Sequence, residues 1–254
     1  MFQRLSIFLY GVVSYAVFLG TYVYAIGFVG NFGVPRSLDG TPTAGLTAAL
    51  LVNLGLLGLF AIQHSVMARP AFKRWFTRAV PASAERSTYV LLSSLALIAV
   101  FAWWQPLGGT VWTATDPIVR SVLWGCFAFG WLLVLGSTFL INHFDLFGLR
   151  QVWLQLRGRP YTELAFGTPG PYRFVRHPLY AGWLFAFWAT PTMTVSHLVF
   201  AIATTGYILI AIQLEERDLI AHHGRAYEDY RERVPMLIPF ARKRNTDARP
   251  AASP

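Results

Sequence analysis

Hydrophobic positions in this chain fall in long unbroken runs, at residues 5–29, 44–68, 88–104, 118–141 and 179–213. Each of the first four is close to the ~20 residues a helix needs to cross a bilayer. The fifth is too long for one ordinary span and contains Pro191, so it predicts two short helices folded back as a hairpin, with a single kinked, tilted helix as the alternative. The expectation is an all-α polytopic membrane protein with about five to six transmembrane helices, the last of them a C-terminal helical hairpin. Between the runs, Gly30-Asn-Phe-Gly33, Asp39-Gly40 and Gly108-Gly109 mark turns.

Composition strengthens this reading: 55% of residues are hydrophobic and only 13% charged, which suits a bilayer and not a soluble domain. The charges then orient the chain. All of the 21 Lys and Arg residues except Arg36 and Arg120 lie before the first run, between the second and third, or after the fourth and fifth. The positive-inside rule therefore places both termini, the second loop and the segment after residue 141 in the cytoplasm. The same rule accounts for the net charge of +9 without nucleic acid, since a basic rim matches anionic lipid headgroups. Val23-Tyr-Ala25 resembles a cleavage site, but the apolar run before it exceeds the ~7–15 residues of a signal core, so the first span is expected to stay. A single cysteine, Cys126, rules out a disulfide within the chain.

Polar chemistry gathers at the cytoplasmic rim. Thr168-Pro-Gly-Pro-Tyr-Arg-Phe-Val-Arg-His-Pro-Leu-Tyr-Ala-Gly182 combines a proline- and glycine-forced entry, the cations Arg173 and Arg176, and Pro178 at the favoured first position of a helix. About thirty residues on, Glu215 and Glu216 stand where the apolar run stops. A basic cluster and an acidic pair thus bracket one hydrophobic hairpin, a frame suited to a small ligand with both signs of charge. Carboxylates beside anionic lipid gain nothing unless they meet a cation.

Two further stretches offer an acid or base. The second span ends in Gln63-His64-Ser65, and His64 is either an interfacial anchor or an active-site group. The fourth ends in Asn142-His143-Phe144-Asp145 through Arg150. There His143 and Asp145 would not share a helix face, but they can converge if the end is unwound. They are either a capped helix end or a proton acceptor and ligand-orienting pair. Residues 149–170 read as an amphipathic, partly irregular segment, and 217–234 as a helix pair broken at Gly224, with Asp229 and Arg233 as an i,i+4 ion pair and Tyr227 and Tyr230 on one face. There is no CxxC and no His pair at ligand spacing, so no metal is expected.

Gly170 to Gly182 followed by Leu214-Glu-Glu216, Gly224, Tyr227, Tyr230 and Val234-Pro235 resembles the membrane methyltransferases typified by isoprenylcysteine carboxyl methyltransferase and the phospholipid N-methyltransferases. Gln63-His-Ser65, Met67-Ala-Arg69 and Asn142 to Arg150 are similar instead to the bacterial branch that contains the methanethiol S-methyltransferases and the NnrU-like membrane proteins. The resemblance implies S-adenosyl-L-methionine (SAM) as methyl donor at a cytoplasmic site, a small volatile thiol as acceptor, and a bacterial-type inner membrane. It assigns the donor to Tyr172, Arg173, Arg176, His177, Pro178, Tyr180, Glu215 and Glu216, and removal of the thiol proton to His143 or Asp145, with His64 behind them. A prenylcysteine or phospholipid methyltransferase and a non-enzymatic NnrU-like protein are the rival implications. On this reading residues 1–117 form a scaffold of three spans, 118–239 the methyltransferase core, and 240–254 a charged tail.

Overall fold

The computed structural model describes residues 1–240; the charged tail expected over 240–254 therefore lies, beyond its first residue, outside the described residues. Five helices are long and apolar enough to cross a membrane: α1 (Phe2–Gly30), α2 (Leu46–Ala68), α4 (Ala82–Trp103), α5 (Pro117–Ile141) and α9 (Val195–His223). Their outward positions are apolar, as on α2, where Ile62 is 67% exposed, so the lipid-facing surface needs no polar cover. The short helices α3 (Pro70–Phe76), α6 (His143–Leu146), α7 (Leu149–Leu156) and α10 (Arg225–Arg233) gather with a 3₁₀ turn (Gly170–Arg173) at one end, here termed the basic face.

The last apolar run does fold back on itself, but unequally. α8 (Pro178–Trp188) has 11 residues and α9 has 29. At 1.5 Å per residue α8 rises only about 16 Å, roughly half the hydrocarbon thickness. An extended stretch follows it. There β2 (Thr192–Thr194) pairs antiparallel with β1 (Thr110–Thr113), in the register Thr110↔Thr194 and Thr113↔Thr192. The expectation of two short helices is thus corrected: Pro191 ends one short helix, and Thr194, whose hydroxyl caps the His197 N–H at 3.0 Å, starts a long one.

Because α8 is short, its position depends on close packing against α5. Gly130 and Gly182 face each other there, and a Cβ on Gly182 would lie 2.8 Å from the Gly130 carbonyl oxygen and 2.9 Å from the Val134 amide nitrogen. Only hydrogen fits between the two backbones. A single aromatic core joins early and late helices, with Phe28, Phe101 and Trp104 against Phe127, Trp131 and Phe200. α7 lies along the start of α1, with Val152 so close to Gly11 that a Cβ there would come within 2.6 Å of it. At the end of α10, Arg233 Nε donates to the Asp229 backbone carbonyl at 3.0 Å, so the expected ion pair is replaced by a turn-closing bond.

Candidate active site

Pro178 opens α8 as the sequence requires, and the turn before it brings the arginine and glutamate clusters together. Arg176 Nε donates to Glu216 Oε1 at 2.7 Å, and His177 Nε2 lies 3.0 Å from the same oxygen. Arg176 Nη1 also donates to the carbonyls of Arg231 (3.1 Å) and Val234 (2.6 Å). The backbone N–H groups of Arg176 and His177 donate to Pro235 and Met236. The two charged side chains are 7% and 8% exposed. A buried ion pair costs less when extra hydrogen bonds take up the remaining donors and acceptors, and here His177 on Glu216 Oε1 and two carbonyls on Arg176 Nη1 take up part of them. Arg176, His177 and Glu216 thereby form a clamp that sews residues 231–236 onto the start of α8.

Glu215 is turned elsewhere. One residue is about 100° of helix, which carries its carboxylate to the α8 side, where the Tyr180 hydroxyl donates to Oε2 at 2.9 Å. Burial and then the Glu215 charge raise the Tyr172 phenol above its usual value. The Tyr172 carbonyl accepts the Tyr230 hydroxyl at 2.6 Å. Arg173 is exposed at the end of the 3₁₀ turn. The chain therefore presents a part-buried carboxylate hydrogen-bonded to one phenol, with an exposed guanidinium on the turn before α8.

Helix α2 packs beside this turn of α9, and α4 packs behind α2. Arg69 pairs with Asp218 at 2.9 Å and donates to the Leu214 carbonyl at 3.1 Å, fixing the turn that carries Glu215. Ser65 and Tyr207 share a hydrogen bond of 3.2 Å. The Tyr89 hydroxyl lies 2.8 Å from His64 Nε2, and the Ser93 hydroxyl 3.2 Å from Nδ1. Phe60 stacks on the imidazole at 5.1 Å. His64 thus stands next to Ser65, whose hydroxyl reaches Tyr207 of α9.

His143 and Asp145 diverge. Asn142, with φ of 100°, ends α5, and its side chain accepts the Asp145 N–H. That left-handed turn sends His143 inward, where Nε2 meets the Tyr15 hydroxyl and Nδ1 the Thr138 hydroxyl, both at 2.8 Å, while Phe139 stacks at 4.2 Å. Burial lowers the His143 pKa. Asp145 turns outward to Arg150 at 2.8 Å and the Tyr161 hydroxyl at 3.2 Å. Reading the sequence alone assigned no role to Tyr89 or Tyr207 and marked Arg69 only within the Met67-Ala-Arg69 resemblance, since α4 looks like scaffold and Tyr207 lies within the last apolar run. The available signal was polar groups one turn apart within apolar helices, Tyr89 with Ser93 and Ser65 with Arg69.

A bundle of membrane helices with this carboxylate–arginine cluster at one face matches a known class. The family model for phospholipid methyltransferase fits residues 121–226, from α5 into α10, which contain the whole cluster. More specific are three relatives named methanethiol S-methyltransferase. That of Crocosphaera subtropica is 58% identical over 243 residues, covering 96% of this chain and 95% of its own. The second such enzyme of Bradyrhizobium diazoefficiens is 55% identical over the full length of both chains. That of Mycobacterium tuberculosis is 55% identical, covering 94% and 98%. The chain belongs to this family of membrane methyltransferases. No solved structure matches it.

Proposed function

We propose that the protein transfers a methyl group from SAM to methanethiol, releasing dimethyl sulfide. The observation that carries this reading is the near end-to-end identity with proteins named for that reaction. The donor set agrees in its chemistry. SAM carries an ammonium, a carboxylate, a ribose diol, an adenine and a sulfonium. Glu215, with Tyr180 on only one of its oxygens, suits the ammonium or the diol. Arg173 and the first-turn amides of α8 suit the carboxylate. Tyr172 and Tyr180 supply aromatic faces for the adenine or the sulfonium. Arg176, His177 and Glu216 hold the wall of this site from behind through their clamp.

When bound, SAM supplies an electrophilic methyl group. The chain's own residues must align the acceptor with it and exclude water. Reaction of a thiolate with a sulfonium merges opposite charges, so a dry pocket favours it. The apolar cluster of Phe18, Met67, Tyr89 and Phe147 makes this side of the bundle a low-dielectric environment. A neutral thioether product leaves such a site through the bilayer.

The test is headspace analysis of purified protein given SAM and methanethiol, with dimethyl sulfide expected. A blank accompanied by methylation of phosphatidylethanolamine or a prenylated cysteine would replace methanethiol with a lipid acceptor. A blank with no SAM uptake by calorimetry would favour the non-enzymatic reading. We also place the basic face in the cytoplasm of a bacterial inner membrane, on the distribution of Lys and Arg. An alkaline phosphatase fusion after residue 240 should then be silent and one in the 104–116 loop active.

A further inference from the structure

We infer that Tyr89, backed by His64, takes the proton from the thiol. This rests on the thiol-methylating reading above and names the proton path within that same site. Of the three acid–base candidates in the sequence, two are committed elsewhere. His143 lies among Tyr15, Thr138 and Phe139 of α1 and α5, and Asp145 is tied to Arg150 and Tyr161, all away from α9. His64 instead stands on α2 between Phe60 and Ser65, both of which meet Tyr207 of α9, and Arg69 further along bonds the Leu214 carbonyl beside Glu215.

The Tyr89 hydroxyl lies 2.8 Å from His64 Nε2 and 3.1 Å from Nδ1, with Ser93 at 3.2 Å from Nδ1. In the tautomer the step uses, Ser93 accepts from Nδ1–H and the Nε2 lone pair, along the shorter contact, accepts the Tyr89 hydroxyl proton. The Tyr89 oxygen then keeps lone pairs of its own for an incoming S–H. The Arg86 guanidinium lies over the Tyr89 ring at 5.0 Å, where it stabilises negative charge developing on the phenol oxygen as its proton moves to His64. The charged and titratable groups around the pair are Arg69 at the end of α2, Lys73 of α3, Glu85 and Arg86 of α4, and Tyr207, Glu215 and Asp218 of α9.

In the step, the S–H proton passes to the Tyr89 oxygen as the Tyr89 proton passes to His64 Nε2. The sulfur electron pair so freed forms the new carbon–sulfur bond. The electrons of the broken methyl–sulfonium bond stay on the donor sulfur. His64 leaves the step as an imidazolium and returns its proton to solvent.

The experiment uses the full-length protein in detergent with Tyr89→Phe and His64→Gln. SAM binding by calorimetry should stay within about 2-fold of the unaltered protein. At neutral pH kcat should fall about 100-fold with little change in KM. That loss should shrink as pH rises towards the ionisation of the thiol itself, because solvent then supplies thiolate. A readout without turnover is the ultraviolet thiolate absorbance of methanethiol added to donor-free protein: present with the unaltered chain at neutral pH and missing with both variants. A thiolate band retained in both variants, or a loss of rate equal at every pH, overturns the assignment while leaving the methyltransferase reading intact. An unaltered protein that takes up SAM but methylates no thiol overturns both. Should Tyr89→Phe fail to fold, His64→Gln decides alone on the same readouts.

Discussion

Glu215 and Glu216 are neighbours in sequence with opposite employment. Glu216 is locked to Arg176 and His177, whereas Glu215 has one phenol and an open side. Glu215→Gln should therefore leave the fold intact and weaken SAM binding roughly 10- to 100-fold, the worth of about 1.5–3 kcal/mol for a charged hydrogen bond. Glu216→Gln should strand a buried guanidinium, at a cost of up to about 3–5 kcal/mol, and lower the thermal midpoint in detergent before any binding is measured. Calorimetry and a melting curve on the two variants separate these roles. Equal loss of stability in both would remove the distinction.

His143 gives a pH signature at the same scale. Burial lowers its pKa from the usual 6.5, so the unfolded chain takes up a proton that the folded chain refuses. Its contribution is whole above about pH 6.5 and is lost as pH falls below that value. The melting temperature should drop on acidification, and His143→Gln should flatten that drop while lowering stability at neutral pH. A slope unchanged in the variant would show that other groups set it.

At the scale of elements, the short α8 is the vulnerable part. It carries Tyr180 and begins at the clamp, yet it is held in the membrane chiefly by its contact with α5 through Gly130 and Gly182. Gly182→Ala forces a methyl group within 2.8–2.9 Å of backbone atoms and should cost about 1–3 kcal/mol. Gly182→Leu should give no folded, monodisperse protein on size exclusion. The same substitution at Gly206, where a Cβ meets nothing within 4 Å, is the control. A Gly182→Leu protein as stable as that control would mean that α5 and α8 do not approach as closely as described. No pair of glycines four apart announces this contact in the sequence, because the two residues lie on different helices.

Across the whole molecule, the apolar runs legible in the sequence became the five long helices, and the break at Gly224 separates α9 from α10 as expected. The charge clusters near residues 176 and 215 do meet at one face. What could not be read was the use each group is put to. Nothing in Arg173 and Arg176, or in Glu215 and Glu216, distinguishes a free charge from one already satisfied. Nor does His143-Phe-Asp145 reveal that a left-handed Asn142 turns its two polar groups apart. The contribution of the early spans was likewise hidden, since Arg69 matters through a partner 149 residues away along the chain, Asp218.

The sequence by itself determined the membrane class, the span positions and the presence of a two-signed cluster. Hydropathy and net charge are additive along a chain, and a bilayer reads them without reference to neighbours. Only the tertiary structure decided which charge pairs with which and which histidine lies beside α9. Those outcomes depend on distances of about 3 Å between residues far apart in sequence, which helix packing alone sets.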